Sequence, residues 1–398
     1  KDKKKEEEKR EKERKKQKVA IAQLDDSEKD KLLNELHKLK IKYYETYEKD
    51  IKKNSFKFAA LNLKTAIFDD DGNLSVSSLF TYDMDGAYDQ EQSVVYLFGG
   101  CPLNNNLLII NVFNGAVLKK PLNIPPRMNH SVTLYTKMDS TGFSKYLLIF
   151  GGKGEGNDVY NDLWQVDLKR NYETKQINAI GNIEARYGHT SAISGDRLYI
   201  FGGMNKKKVF NDLCSINVSE AKCLWQIQQA AANFPSPRAF HSSTIIKNKW
   251  YIFGGVNDKK ASPFTSKVSE ENSKLHVLDF DSYNWEDIEL QNVSNRAWHR
   301  IVAVGSYIVI IGGLKELELE PIIVYDTEFK KIFSYDASFN YPLFLTGFYC
   351  NFVSPNANVS RNSSLKGPLT RLNTEETEMS QGIKRTSQPH LLVFGGVN

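Results

Sequence analysis

Short apolar runs closed by turn residues recur along most of this chain. Six of them end in a glycine pair: Tyr96-Leu97-Phe98-Gly99-Gly100, Leu148-Ile149-Phe150-Gly151-Gly152, Tyr199-Ile200-Phe201-Gly202-Gly203, Tyr251-Ile252-Phe253-Gly254-Gly255, Val309-Ile310-Ile311-Gly312-Gly313 and Leu392-Val393-Phe394-Gly395-Gly396. The first three intervals between leading glycines are 52, 51 and 52 residues; the next two are 58 and 83. A period near 50 in a strand-rich chain predicts a repeat architecture. Each unit keeps one order. A segment with Arg and His precedes the strand that ends in Gly-Gly. A polar turn follows, then another apolar strand, as in Asn161-Asp162-Leu163-Trp164 and Asn211-Asp212-Leu213-Cys214. A fourth strand carries Trp225 or Trp285 in two units. About four strands per unit is the content of one propeller blade.

The pattern differs at the two ends. Residues 1–18 are almost all charged and cannot bury a core, so 1–26 reads as a charged tail, helical or disordered. Residues 27–52 predict an amphipathic helix, with a capping-box-like start at Ser27 and Asp30. Leu32, Leu36, Leu39, Tyr43 and Tyr47 form its apolar stripe. That face either packs on its own domain or meets a partner helix. From Phe56 onward the period becomes strand-like, so the repeat domain is set at 56–398. Residues 354–389 are rich in Ser, Asn, Thr, Glu and Lys and predict a flexible insertion between the first two strands of the last blade. The numbering ends two residues past the sixth glycine pair, at Asn398. The outer strands of that blade are therefore expected from residues 56–68 or from further chain, because an open sheet edge invites aggregation.

Charge narrows the function. The chain has 398 residues and a net charge of +5, and residues 1–18 alone carry 11 Lys and Arg against 6 Asp and Glu. The remainder holds 42 of each sign. A neutral body argues against a broad phosphate-neutralising surface. The tail is the segment expected to make weak contact with RNA or acidic proteins. Cys101, Cys214, Cys223 and Cys350 form no CxxC pair and no zinc-spaced cluster. They fit a reducing compartment, so cytoplasm, nucleus or both are expected. No apolar stretch reaches the length of a membrane span, and the N-terminus has no apolar signal core. The first residue is Lys, which is consistent with a start inside a longer chain.

The glycine pairs, with the Trp at a set later position in two units, resemble the kelch-repeat family. The resemblance covers roughly residues 56–398. It implies an all-β propeller of six four-stranded antiparallel blades, preceded by the charged helical segment. It also implies a protein-interaction role, as a scaffold or regulatory subunit that presents a loop face to partner proteins.

A second motif runs beside the glycines: Arg127-Met-Asn-His130, Arg186-Tyr-Gly-His189, Arg238-Ala-Phe-His241 and Arg296-Ala-Trp-His299. In the last three units the Arg lies 16 residues before the first glycine; in the first it lies 24 before, and turn residues 139–144 account for the extra length. The motif falls at the start of each innermost strand. Four guanidinium groups near one mouth of the channel would form a positive ring for acidic peptide segments. The competing reading is structural: repeated Arg and His would bond the carbonyls of neighbouring blades. A four-His metal site is disfavoured, because the residues come from separate blades without local ligand spacing.

No GxSxG, P-loop or HExxH motif occurs. Asp69-Asp70-Asp71-Gly72 lacks the twelve-residue calcium pattern and reads as an acidic turn. The expectation is a non-catalytic interaction protein with no cofactor and no metal. Its alternatives are a substrate receptor of a ubiquitin ligase, which would hold an acidic degron at the positive mouth, and a propeller enzyme resembling the copper radical oxidases of the galactose-oxidase type.

Overall fold

The structure is a computed structural model of the full chain. It describes residues 82–112, 116–139, 142–228, 234–258, 273–315, 318–319, 322–335, 349–353 and 390–394, together with 67–68 and 74–75. Residues 1–63 separate from 64–398 as a unit of their own. The helix expected over 27–52, with its Leu32, Leu36, Leu39, Tyr43 and Tyr47 face, lies outside the described residues, as do Gly395 and Gly396. The described residues are strands, turns and loops, without a helix.

The strands group into blades. The first sheet contains β1 (Ile67–Phe68), β2 (Leu74–Ser75), β3 (Asp85–Asp89), β4 (Val94–Phe98), β5 (Asn106–Asn111) and β6 (Val117–Pro121), in the order β2-β1-β6-β5-β4-β3. The second contains β7 (Ser131–Asp139), β8 (Gly142–Lys153), β9 (Val159–Asp167) and β10 (Glu173–Gln176). β11 (Thr190–Ser194), β12 (Arg197–Phe201), β13 (Leu213–Asn217) and β14 (Gln226–Gln228) form the third. β15 (Ser242–Ile246), β16 (Lys249–Phe253), β17 (Lys274–Asp279) and β18 (Trp285–Glu289) form the fourth. The fifth pairs β19 (Arg300–Val304) and β20 (Tyr307–Ile311) with β23 (Ile322–Asp326) and β24 (Lys331–Tyr335). A small hairpin, β21 (Leu314–Lys315) with β22 (Glu318–Leu319), interrupts that blade.

The expected count of six four-stranded blades is corrected to five. The sixth glycine-pair strand stands in a two-stranded sheet, β25 (Tyr349–Val353) with β26 (His390–Phe394), and residues 354–389 fall between its strands. The apolar run before the glycines specifies the second strand of a blade; it does not supply the outer strands. Closure of that sheet by residues 56–68 is also not what the described part shows. β1 runs parallel beside β6, on the outer edge of the first blade.

The innermost strands β3, β7, β11, β15, β19 and β25 neighbour one another in a closed ring, with β25 between β19 and β3. They share one register. Asp85, Ser131, Thr190, Ser242, Arg300 and Tyr349 each pair with the residue just before a glycine pair: Phe98, Phe150, Phe201, Phe253, Ile311 and Phe394. These six residues therefore form one layer around the channel. The longer Arg-to-glycine spacing of the second blade also has a structural cause different from the expected turn. Its extra residues lengthen the β7–β8 ladder until Asp139 pairs Gly142, and Met138 and Phe143 are exposed near the tip.

The core lies between blades. One apolar cluster joins Phe98, Leu107 and Ile109 of the first blade to Leu147 and Ile149 of the second. The next joins Phe150 to Ile200, Cys214 and Trp225 of the third. Another joins Phe201 to Trp250 and Leu278 of the fourth. Trp225 packs 5.5 Å from Phe150, and Trp285 packs 5.4 Å from Phe201. Each of these indoles, Trp225 just before β14 and Trp285 at the start of β18, thus covers the preceding blade. Phe201 has no exposed surface, so truncating it to Ala would cost about 3 to 5 kcal/mol.

Candidate functional site

The four arginines of the Arg-x-x-His motif have no exposed surface. Their guanidinium groups face the structure between strands. Arg127 donates to Asp162 through two parallel bonds of 2.7 and 2.8 Å and to the Gly151 carbonyl at 2.9 Å. Arg186 repeats this with Asp212 at 2.6 and 2.9 Å and with the Gly202 carbonyl at 3.1 Å. Such bidentate pairs satisfy the planar donor fork and offset the desolvation of both charges. In the fourth blade Lys274 stands where the second and third have Asp, and the partner changes. Arg238 meets His276 Nε2 at 2.9 Å, and His276 Nδ1 meets Asp287 at 2.7 Å. Burial pulls Arg238 down to about 9 and His276 down to about 4, with Asp287 opposing both. Arg296 bonds the Gly312 carbonyl at 3.4 Å.

The backbone of each motif binds the previous blade. The second glycine of each pair donates to the carbonyl of the next blade's Arg at 2.9 Å: Gly100 to Arg127, Gly152 to Arg186, Gly203 to Arg238 and Gly255 to Arg296. The need for glycine is clearest at Gly203. Its φ is +89°, and a Cβ there would lie 2.8 Å from the His189 Cβ and 3.0 Å from the Tyr187 carbonyl oxygen. Only a residue without a side chain lets the strand end close on the motif.

The histidines complete that joint. His130, His189, His241 and His299 stand edge-on to Phe98, Phe150, Phe201 and Phe253 of the preceding blades, with ring centroids between 5.2 and 5.6 Å apart. Two continue to a hydroxyl of the preceding blade: His189 Nε2 lies 3.0 Å from Ser131 Oγ, and His241 Nε2 lies 2.9 Å from Thr190 Oγ1. Burial holds His189 down to about 3, with the Arg186 charge adding to the effect. His130, His241 and His299 are also pushed well below their ordinary value, first by burial and then by the adjacent Arg. At neutral pH all four rings are uncharged.

The channel mouth above these rings is built from the residue just before each His or its counterpart. Asp83, Asn129, Gly188, Phe240 and Trp298 all have φ between +53° and +66°. Their main chains are linked blade to blade: Asn129 N to Asp83 O, Gly188 N to Asn129 O, Phe240 N to Gly188 O and Trp298 N to Phe240 O, at 2.7 to 3.0 Å. Bulky residues rarely adopt this conformation, so Phe240 and Trp298 hold backbone strain at the mouth. Their rings stack at 4.7 Å. Below them a cavity of about 400 Å³ opens along the channel, lined among others by Asp83, Asp85, Arg300, the four histidines and Tyr349. Arg300 lies 3.1 Å from Asp85 and also donates to the Met84 carbonyl at 3.1 Å.

The sequence motifs and the cavity thus separate. The arginines brought together by the repeat do not face the channel, whereas the histidines do. Asp83, Asp85, Phe240, Trp298 and Arg300 were not singled out from sequence. Phe240 and Trp298 were inside the motif as its variable positions. The first blade has Met84 where the others have His, so the motif search passed over Asp83 and Asp85. Asp162 and Asp212 were visible in the Asn-Asp-Leu repeats, but their pairing with Arg required the fold. Among the described residues no group of three or more His, Cys, Asp or Glu side chains could hold a metal ion.

Residues 130–342 match the family model described as the KLHDC2/KLHL20/DRC7 Kelch-repeats domain. The human Rab9 effector protein with kelch motifs is 30% identical over 194 residues, which cover 47% of this chain and 49% of that protein. The N-(sulfonatooxy)prop-2-enimidothioate sulfolyase of Thlaspi arvense is 26% identical over 203 residues, covering 47% and 56%. Host cell factor of Drosophila melanogaster is 27% identical over 217 residues, covering 47% and 14%. The chain therefore spans about half the length of the first two of these relatives and much less of the third. The solved structure of YjhT superposes with a TM-score of 0.52 at 14% identity, covering 70% of this chain and 88% of that one, and shares the fold. With its glycine pairs closing four-stranded blades around one channel, this chain belongs to the kelch-repeat family.

Proposed function

We propose that this chain is a non-catalytic protein-interaction module that receives a partner at the channel mouth. The observation that carries this reading is the mouth itself: the strained pair Phe240 and Trp298 stands over an open polar cavity of about 400 Å³. Aromatic residues beside polar groups are the usual anchors of protein interfaces. The buried channel histidines are held neutral by burial and by the adjacent arginines, which suits a binding surface better than proton transfer. The name of the human relative, an effector, supports an interaction role. Cys101, Cys214 and Cys223 are free thiols, in keeping with cytoplasm or nucleus. A substrate receptor of a ubiquitin ligase is one form of such a module.

The test is affinity capture with the full chain and its Phe240→Asp variant, followed by identification and titration of each recovered protein. The reading expects a partner that binds the wild type and is lost with the variant while the melting temperature holds. Equal capture by both forms moves the interface away from the mouth. Ligase subunits among the proteins lost would select the receptor form.

A further inference from the structure

The charges of the channel cavity are opposite to those expected from the repeated arginines. Those arginines are buried against Asp162, Asp212, His276 and glycine carbonyls. The cavity lining contains two carboxylates, Asp83 and Asp85, and one cationic side chain, Arg300. Arg300 is already 3.1 Å from Asp85. With the histidines neutral, one carboxylate is left in excess, and among the described residues Asp83 makes no ion pair. Burial raises the Asp83 carboxyl above its ordinary value, with Asn129 and Arg300 opposing. A cation beside it would offset that cost.

A second observation points the same way. His130 and His299 are more than nine-tenths buried and line the cavity, and Nε2 of each has no hydrogen-bond partner. Their counterparts His189 and His241 reach a hydroxyl of the preceding blade; these two do not. A neutral imidazole keeps one acceptor nitrogen. The acceptor nitrogen of each of these two rings is thus unmet, and a donor group entering the cavity would satisfy it. At the rim the half-buried Phe240 ring, backed by the buried Trp298 on which it stacks, is an aromatic surface of the kind that favours a planar cation.

We infer that the channel cavity receives a basic side chain, specifically the guanidinium of an arginine presented by a partner protein, with Asp83 as its counter-ion and the Phe240–Trp298 pair as its stacking surface. This rests on the interaction role proposed above and gives it a partner chemistry. An arginine side chain is small against a cavity of about 400 Å³, so the segment carrying it would stay at the rim.

The full chain is titrated by calorimetry with N-acetylarginine methylamide and with the matching lysine, alanine and glutamate amides. Saturable binding in the order arginine, lysine, alanine is expected, with the glutamate amide weakest. Asp83→Asn, which suits the left-handed backbone at φ +56°, should weaken arginine binding about tenfold, the size of one charge-assisted contact. Phe240→Asn tests the stacking surface in the same way. Asp158→Asn, on an exposed turn, should leave binding unchanged. Absence of arginine binding, glutamate binding of equal strength, or an Asp83→Asn variant that binds as wild type would overturn the inference. A partner protein captured equally by wild type and Asp83→Asn would also overturn it while leaving the interaction role intact. Failure of the wild type to hold any protein partner, with arginine binding preserved, would end the interaction role instead.

Discussion

Arg300 stands 3.1 Å from the Asp85 carboxylate, and this ion pair ties the fifth blade to the first across the two-stranded sheet. Both residues lie in the channel layer that Tyr349 completes between them. Asp85 also accepts the Val132 amide at 2.8 Å, so it reaches the second blade as well. Burial raises its carboxyl, and Arg300 is the leading opposing influence. Four blades carry the Arg-x-x-His joint; this pair holds the ring where that joint is missing.

Replacing Arg300 with Gln leaves a largely buried carboxylate without its cation. Urea unfolding should show a loss of about 1 to 3 kcal/mol, kept below the fully buried case because the side chains retain 27% and 17% exposure. The double variant Asp85→Asn/Arg300→Gln should recover part of that loss, since the uncompensated charge is gone. A double variant less stable than the single one would refute the latch.

The pair of Arg186 and Asp212 is more enclosed and should cost more to break. Arg186→Ala is expected to destabilise the fold by about 3 to 5 kcal/mol, and Arg186→Lys to recover little, because a point charge cannot reproduce the parallel bonds to Asp212. Peptide affinity at the mouth, measured on whatever fraction stays folded, should not change. An altered peptide affinity with unaltered stability would return the arginines to the binding surface.

The channel histidines predict an acid-sensitive fold. The folded rings bind protons only well below the unfolded value of about 6.5, and His189 only near 3. The unfolded chain therefore takes up more protons in that window. Stability contributed by the neutral rings is complete above about pH 6.5 and declines as pH falls toward 3, by up to about 1.4 kcal/mol per pH unit for each ring. Denaturant melts at pH 7.5, 6.5 and 5.5 should show this decline, and His189→Gln should reduce its slope by up to one proton.

Glycine substitutions should separate packing from backbone conformation. Gly203→Ala places a Cβ 2.8 Å from His189 and should lower stability by more than about 2 kcal/mol. Gly195→Ala, at φ +57° with nothing within 4 Å, carries only the cost of the left-handed backbone, about 1 kcal/mol. Equal losses at the two sites would mean that the close approach of Gly203 to the Arg-x-x-His segment of its own blade contributes nothing.

Local pattern was enough to determine the strands, their grouping into units and the propeller class. A short apolar run followed by two glycines can only be a strand that ends in a tight backbone contact, and its period counts the units. The residues of the joint, Arg186, His189, Gly202 and Gly203, were likewise readable as a repeat. What they bind was decided by tertiary structure. The partner of Arg186 lies 26 residues away, and the ring of His189 meets Phe150 and Ser131 of another blade. Burial then reverses the apparent electrostatics. The four repeated arginines vanish into pairs and carbonyl bonds, and among the described residues the channel carboxyl group without an ion pair is that of Asp83, a residue without a repeat signature. The number of complete blades was also a tertiary matter, because a glycine-pair strand does not reveal whether outer strands flank it. Sequence periodicity reports what every unit shares, whereas the channel is shaped by the blade positions at which the units differ.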